Sequence, residues 1–232
     1  MLQYRESLPP APSDFLGSLE ESERDTLHAL GRMRTCARGE FLFRVGDPGA
    51  HVYFLVQGRV KIFQPGDSGR EVILWYCLPG EIFGLAEVAA GGGRVVNAHA
   101  CEQSEVLSVP QEAFRGFVAS RPRAALLSMQ VLSARLRGLS DMVVNLVDDD
   151  VETRVAKLIL RLGARYGVRD GDVVRLAIPL THQEIADMVG TTRQTVTGVL
   201  MQLRRRGALS VDANRILIES PGLLGEVAQD AA

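Results

Sequence analysis

The residues best suited to chemistry lie late in the chain, in "THQEIADMVGTTRQTVTGVLMQLRRRGALSVDANRILI", residues 181–218. Within it, "TTRQTVTGVL" has the apolar spacing of a helix but carries one Arg, one Gln and four Thr, where most helices solvate their polar side with Glu and Lys. Such a face suits a partner with hydrogen-bonding edges and negative charge, and double-stranded DNA offers both. Arg193 is fitted to a guanine edge, Gln194 to adenine, and Thr197 to a thymine methyl or a phosphate. Each good bidentate pair is worth about 1 to 3 kcal/mol of discrimination.

The spacing around these residues predicts the elements that hold them. A helix-turn-helix needs a small residue where the helices touch, a glycine in the turn and apolar residues in the wedge between them. Ala186, Gly190, and Ile185, Val189, Val196 and Val199 meet those needs in order. Thr181 and Glu184 form a capping-box pattern, and Thr192 is placed to cap the second helix. With Val196, Val199, Leu200 and Leu203 facing inward, Arg193, Gln194 and Thr197 are left on the outward first turn. Residues 192–206 hold Arg193, Arg204, Arg205 and Arg206 and no acid, a local charge of +4. "GALSVDANRILI" alternates on both sides of an Asp-Ala-Asn turn, which predicts a hairpin wing.

Upstream, the 26 residues from Arg121 to Leu146 carry Met129, Leu132, Leu136, Leu139, Val143 and Leu146 at spacings of 3, 4, 3, 4 and 3. That stripe is the seam of a two-stranded coiled coil and predicts self-association. The alternative is that it packs on the protein's own sheets. Asp148, Asp149 and Asp150 cannot extend an apolar seam, and Asp150 is placed to cap a following helix from Val151 to about Tyr166. "GVRDGDVVRLAIPL" then reads as a turn and a short strand. From Phe41 to Pro110, short runs rich in Val, Ile, Phe and Tyr are punctuated by glycine, the pattern of an antiparallel sandwich or roll. "SDFLGSLEESERDTLHAL" before it predicts one or two short helices. The fold class is therefore α+β: N-terminal helices and roll over 1–120, a dimerisation helix and hinge over 121–149, and a winged helix-turn-helix over 150–232.

Bulk properties limit the alternatives. The 232 residues are 46% hydrophobic with a net charge of −2, so any DNA contact must come from a local basic patch. Cys36, Cys77 and Cys101 lie far apart, without a CxxC pair, which predicts neither a disulfide framework nor a thiolate zinc site. No metal is expected. "MLQYRESLPPAPSDF" has no apolar core of a signal peptide, and no later run is long enough to span a bilayer, so a cytoplasmic protein without a membrane partner is expected. Histidines at 28, 51, 99 and 182 are scattered, and no GxSxG, HExxH or Walker pattern occurs, so no enzymatic activity is expected. A non-specific architectural DNA binder is the rival class, distinguished by a steep salt dependence with little sequence preference.

The order of roll, long helix and winged helix-turn-helix resembles the superfamily of the cyclic-AMP receptor protein and the fumarate and nitrate reduction regulator (CRP/FNR), from about Asp14 to Ile218. "LTHQEIADMVGTTRQTVTGVL" is similar to its DNA-binding signature, and "RLRGLSDMVVNLVDDDVETRV" to its dimer helix and hinge, with Asp150 at the acidic hinge position. The resemblance implies a bacterial homodimeric transcription regulator that meets a palindromic site and RNA polymerase. It makes Arg193 the guanine reader and places Thr181, Thr192 and Thr195 at phosphate-contacting positions. Three positions depart: His182 stands where a phosphate-contacting Arg is usual, Gln194 where many members have Glu, and Gly198 where the cyclic-AMP branch has a second reading Arg. A half-site related to TGTGA but altered is implied.

The resemblance also places an effector pocket in the roll, at Gly84, Leu85, Ala86, Arg94 and Val95 with Leu139 and Ser140 of the dimer helix. Cyclic-AMP binders of the family hold the ribose with Glu, the phosphate with Arg-Ser or Arg-Thr, and the adenine with Thr. Here Leu85, Arg94-Val95 and Leu139 stand at those positions, and cyclic AMP is not expected. Only Cys36 precedes residue 77, so the family's iron-sulfur cluster is not expected either. No cofactor is predicted. The alternatives for the sensory half are a haem with His99, Cys77 or Cys101 as axial ligand, another small ligand such as a cyclic dinucleotide, and a roll that needs no ligand.

Overall fold

A computed structural model of the chain describes residues 14–66 and 69–229. Most of the N-terminal stretch read for a leader, residues 1–13, lies outside them. The chain divides into two compact units, meeting within the long helix between residues 138 and 139, with residues 70–72 assigned to the second.

The first unit opens with a turn at Asp14–Ser18 and one helix, α1 (Glu21–Leu30). The strands follow as β1 (Arg32–Cys36), β2 (Phe41–Phe43), β3 (His51–Gln57), β4 (Val60–Pro65), β5 (Glu71–Cys77) and β6 (Ile82–Phe83). A short helix α2 (Ala86–Ala90), strands β7 (Asn97–Ala100) and β8 (Ser104–Pro110), and helix α3 (Gln111–Ala119) complete the roll. Two four-stranded sheets run in the orders β1-β8-β3-β6 and β2-β7-β4-β5. The pairs β1–β8, β3–β8, β3–β6, β2–β7 and β4–β7 are antiparallel.

Strand β3 shows why the sequence folds this way. Alternate residues of a strand point to opposite faces, and here both faces are buried. Val52 and Phe54 join Phe15, Leu27, Phe114 and Phe117 on the helical side. Tyr53 and Leu55 join Phe43, Ile62, Phe83 and Val106 between the sheets. The run is therefore continuously apolar, and each fully buried Phe or Leu contributes about 1.5 to 3 kcal/mol. Strand β1 was not visible in the pattern from Phe41: it pairs with β8 at the sheet edge and buries only Cys36.

Helix α4 (Pro122–Asp148) spans 27 residues. Ala124 and Val131 are buried with the helical-side cluster, and Leu127 packs against it. This inward stripe differs from the predicted seam. Met129 is 62% exposed, Leu136 67% and Val143 62%, so these large apolar side chains are not buried in a core among the described residues.

The second unit continues with α5 (Val151–Tyr166), β9 (Gly167–Asp170), β10 (Val173–Leu176), α6 (His182–Val189) and α7 (Arg193–Arg205). It ends with β11 (Leu209–Asp212), β12 (Arg215–Ile218) and α8 (Pro221–Val227). The stretch expected as one turn and one strand forms a hairpin, and its strands join the wing in a sheet of order β11-β12-β10-β9. Asp150 caps α5, its carboxylate accepting from Thr153 N at 2.8 Å. That hydrogen bond, with one from the Thr153 side chain, holds the Asp150 carboxyl below the usual carboxylate range. Asp149 is buried and paired with Lys157 Nζ at 2.7 Å.

Candidate nucleic-acid interface

The helix pair is built by caps and a glycine. Thr181 accepts from Glu184 N at 3.1 Å, while the Glu184 carboxylate accepts from Thr181 N at 2.8 Å, which closes the capping box of α6. Helix α6 ends on Gly190 in the left-handed conformation (φ 71°, ψ 48°), which a side chain would strain. The Ala186 carbonyl accepts from both Gly190 N and Thr191 N, turning the chain sharply into α7. Thr192 caps α7 by accepting from Thr195 N at 3.2 Å, and the two hydroxyls are 2.9 Å apart. Arg154 of α5 donates to Val189 O at 3.0 Å, satisfying a further carbonyl at the end of α6.

Ile185, Ala186, Met188 and Val189 of α6 are buried, as are Val196, Val199, Leu200 and Leu203 of α7. The orientation of α7 is therefore set by its apolar face. Arg193, Gln194, Thr192 and Thr195 are exposed at its start, together with Thr181 at the start of α6. No described residue forms an ion pair with Arg193, and helix N-termini favour anions. The first turn thus presents a cation, an amide and hydroxyls at the N-terminal end of a helix, a set that can read base edges and hold phosphates.

Thr197 makes two hydrogen bonds within the helix pair. Its hydroxyl donates to Arg193 O at 2.9 Å, so it must accept from His182 Nδ1–H, 2.8 Å away. The hydroxyl cannot donate to a base or phosphate without breaking the first bond. What remains for DNA is the methyl group and one lone pair. His182 is thereby tied across the two helices with Nε2 as its second nitrogen. The sequence held no signal for this strut, because it joins residues on different helices.

Arg204, Arg205 and Arg206 are exposed at the end of α7, and Arg206 pairs with Glu152 at 3.1 Å. The wing turn puts Ala213 and Asn214 at positive φ, the two-residue hairpin geometry. Leu146 of the predicted seam lines a crevice with Met188 and Val189, and it is 47% exposed.

The effector-pocket residues of the roll are not presented alike. Leu85 is buried in the helical-side core with Phe15 and Phe54. Ala86 and Val95 are exposed. Arg94 is buried: its Nη1 donates to Glu87 Oε2 and to Gly84 O at 3.2 Å, and its Nη2 donates to His51 O. Glu87, not singled out in the sequence, is buried as well. The only early signal was an acid in the otherwise apolar and glycine-rich run "IFGLAEVAAGGGR". Leu139 is half-buried and Ser140 exposed on α4. Of the residues considered for haem, Cys77 is fully buried and His99 is flanked by the Phe41 and Phe63 rings. Among the described residues no group of His, Cys, Asp and Glu is arranged to hold a metal ion.

A roll followed by a long helix, a capped helix pair and a wing defines a winged helix-turn-helix regulator. Comparison with known proteins agrees. Residues 33–121 match the cyclic nucleotide-binding domain and residues 153–227 the Crp-like helix-turn-helix domain. The chain is 33% identical over 181 residues to a CRP-like cAMP-activated global transcriptional regulator of Mycobacterium tuberculosis, covering 78% of this chain and 81% of that one. It is 31% identical to the global nitrogen regulator of Synechocystis, covering 84% and 87%. Among solved structures, a mutant of CooA from Carboxydothermus hydrogenoformans superposes with a TM-score of 0.82 at 23% identity, covering 95% and 98%. The protein belongs to the CRP/FNR superfamily and is a DNA-binding transcription regulator.

Proposed function

We propose that the protein acts as a homodimer that reads a palindromic site with the first turn of α7. The observation that carries this reading is the exposed Arg193, with no ion-pair partner among the described residues, beside Gln194 on a helix whose opposite face is locked into the unit. Thr181, Thr192, Thr195 and His182 supply the phosphate contacts around them, and Thr197 offers its methyl group. The exposed stripe of α4 supplies the second copy: Met129, Leu132, Leu136 and Val143 are large, apolar and more than a third exposed, at coiled-coil spacing. Two reading turns related by a twofold axis enter successive major grooves.

As a transcription regulator it would act with RNA polymerase in the cytoplasm, and no described helix is long and apolar enough to cross a membrane. The family implies a cyclic nucleotide in the roll, but the residues here do not fit one. The buried cation is already paired, and an apolar core residue stands where the ribose acceptor would be. The protein therefore binds DNA without cyclic AMP under this proposal.

Selection of duplexes from a random pool tests the proposal. The expected consensus is an inverted repeat with half-sites about 10 to 10.5 base pairs apart, centre to centre. A single unrepeated site, or no consensus, would overturn it.

A further inference from the structure

We propose that Glu87 is a resident counter-ion that closes the roll to the phosphate of a cyclic nucleotide. The anion that would pair with Arg94 is part of the chain. The inference deepens the reading of a regulator that does not need cyclic AMP, but its primary test is ligand binding by the roll.

A cyclic nucleotide carries an anionic phosphodiester, which can be buried only against a cation and hydrogen-bond donors. Arg94 is the cation at this place, and its side chain is 1% exposed, against 5% for Glu87. Besides Glu87, the guanidinium donates to the carbonyls of Gly84 and His51 and lies 4.2 Å from the Phe43 ring centroid. Gly84 permits this approach, since a Cβ there would come within 2.9 Å of Arg94 Nη1.

Glu87 is held as firmly. A Cβ on Gly49 would lie 2.6 Å from its Cβ, and its carbonyl accepts from Gln111 Nε2 at 2.6 Å. Arg115 donates to the next carbonyl, Val88 O, at 2.7 Å, so α3 fastens α2 in place. The rings of Phe43, Tyr53 and Phe83 pack on one another next to the guanidinium.

An incoming phosphate has two routes, and both are unfavourable. Beside Glu87 it would bring a second negative charge into a buried site. Displacing Glu87 would leave a buried carboxylate unpaired, the costliest way to break such a pair. The arginine that looks like a phosphate anchor in the sequence therefore has its charge met within the fold, with its Nε–H left without a hydrogen-bond partner among the described residues.

Titration calorimetry of the full chain with cyclic AMP and with cyclic di-GMP, up to millimolar ligand, tests this. The wild type is expected to give no saturable heat, and its DNA affinity to change by less than about twofold with either ligand. Glu87→Gln keeps the shape and removes the charge, so inorganic phosphate, which needs no ribose or adenine contact, should then bind saturably, at least roughly tenfold more tightly than to the wild type. Saturable binding by the wild type, or a folded Glu87→Gln variant as inert as the wild type, would overturn the proposal. Should Glu87→Gln not fold, Glu87→Met combined with Arg94→Met removes both charges, an exchange that buried pairs often tolerate. That variant should match the wild type in DNA affinity, and a folded double variant that lost it would sink the assignment. The calorimetric result does not depend on whether the DNA-reading proposal stands.

Discussion

The two units treat their key arginines in opposite ways. In the roll, Arg94 is buried, neutralised by Glu87 and fastened to two carbonyls. In the helix-turn-helix, Arg193 is exposed at a helix start and has no ion-pair partner among the described residues. A buried arginine whose charge is met by a carboxylate of its own chain is poorly placed for a second anion, although the Arg94 Nε–H has no hydrogen-bond partner among the described residues. An exposed arginine at a helix N-terminus, where the dipole disfavours it, gains most from meeting a guanine edge or a phosphate. Under the two proposals, the difference separates an arginine that stabilises from one that recognises.

The comparison can be broken most severely through the dimer stripe. Leu136→Asp with Leu139→Asp should yield monomers in sedimentation and lower operator affinity by at least roughly 100-fold, because two linked reading turns are reduced to one. An unchanged mass would show that recognition does not depend on that stripe. Arg193→Ala should leave the dimer intact while removing about 1 to 3 kcal/mol of selectivity per half-site, measured with matched and mismatched duplexes. Equal selectivity in the variant would move the reading role elsewhere on the helix.

Two smaller effects sharpen the boundary between recognition and support. Asp150→Ala should cost about 1 kcal/mol at pH 7 in urea unfolding of the second unit, the usual worth of an N-cap. The Asp150 carboxyl lies below its ordinary value in the folded state, so its contribution is complete above the unfolded carboxylate range. It is lost as pH falls through that range and on through the folded value. The gap between wild type and variant should therefore narrow as the pH drops below about 4. Thr197→Val keeps the methyl group and removes the strut to His182. It should cost about 1 kcal/mol of stability and leave base preference unchanged, whereas a changed consensus would return Thr197 to the readers.

Much of the second unit was legible because its constraints are local. The capping box, Gly190 and the inward faces of α6 and α7 are set by spacings within a few residues, and all lie where those spacings put them. The apolar spacing of the stripe from Met129 to Leu146 was legible for the same reason, and it is distinct from the inward stripe of Ala124, Leu127 and Val131. Strand β1 was missed because an edge strand with one buried residue has no apolar alternation to read. Helix α3 was missed because it follows Pro110 directly and covers the sheet with few large residues, chiefly Phe114 and Phe117. The pairing of Arg94 with Glu87 and the strut from His182 to Thr197 are tertiary contacts. Residue type announces such groups, but only folding decides whether they face a partner or each other.

The most direct test of the central claim is fluorescence anisotropy of the ligand-free protein against its selected palindrome and against scrambled DNA of equal length, at one fixed salt concentration. The account predicts binding to the palindrome at least about 1,000-fold tighter, the lower end for sequence-specific regulators. A ratio near one would mean that the exposed turn of α7 holds DNA without reading it, and would contradict the account.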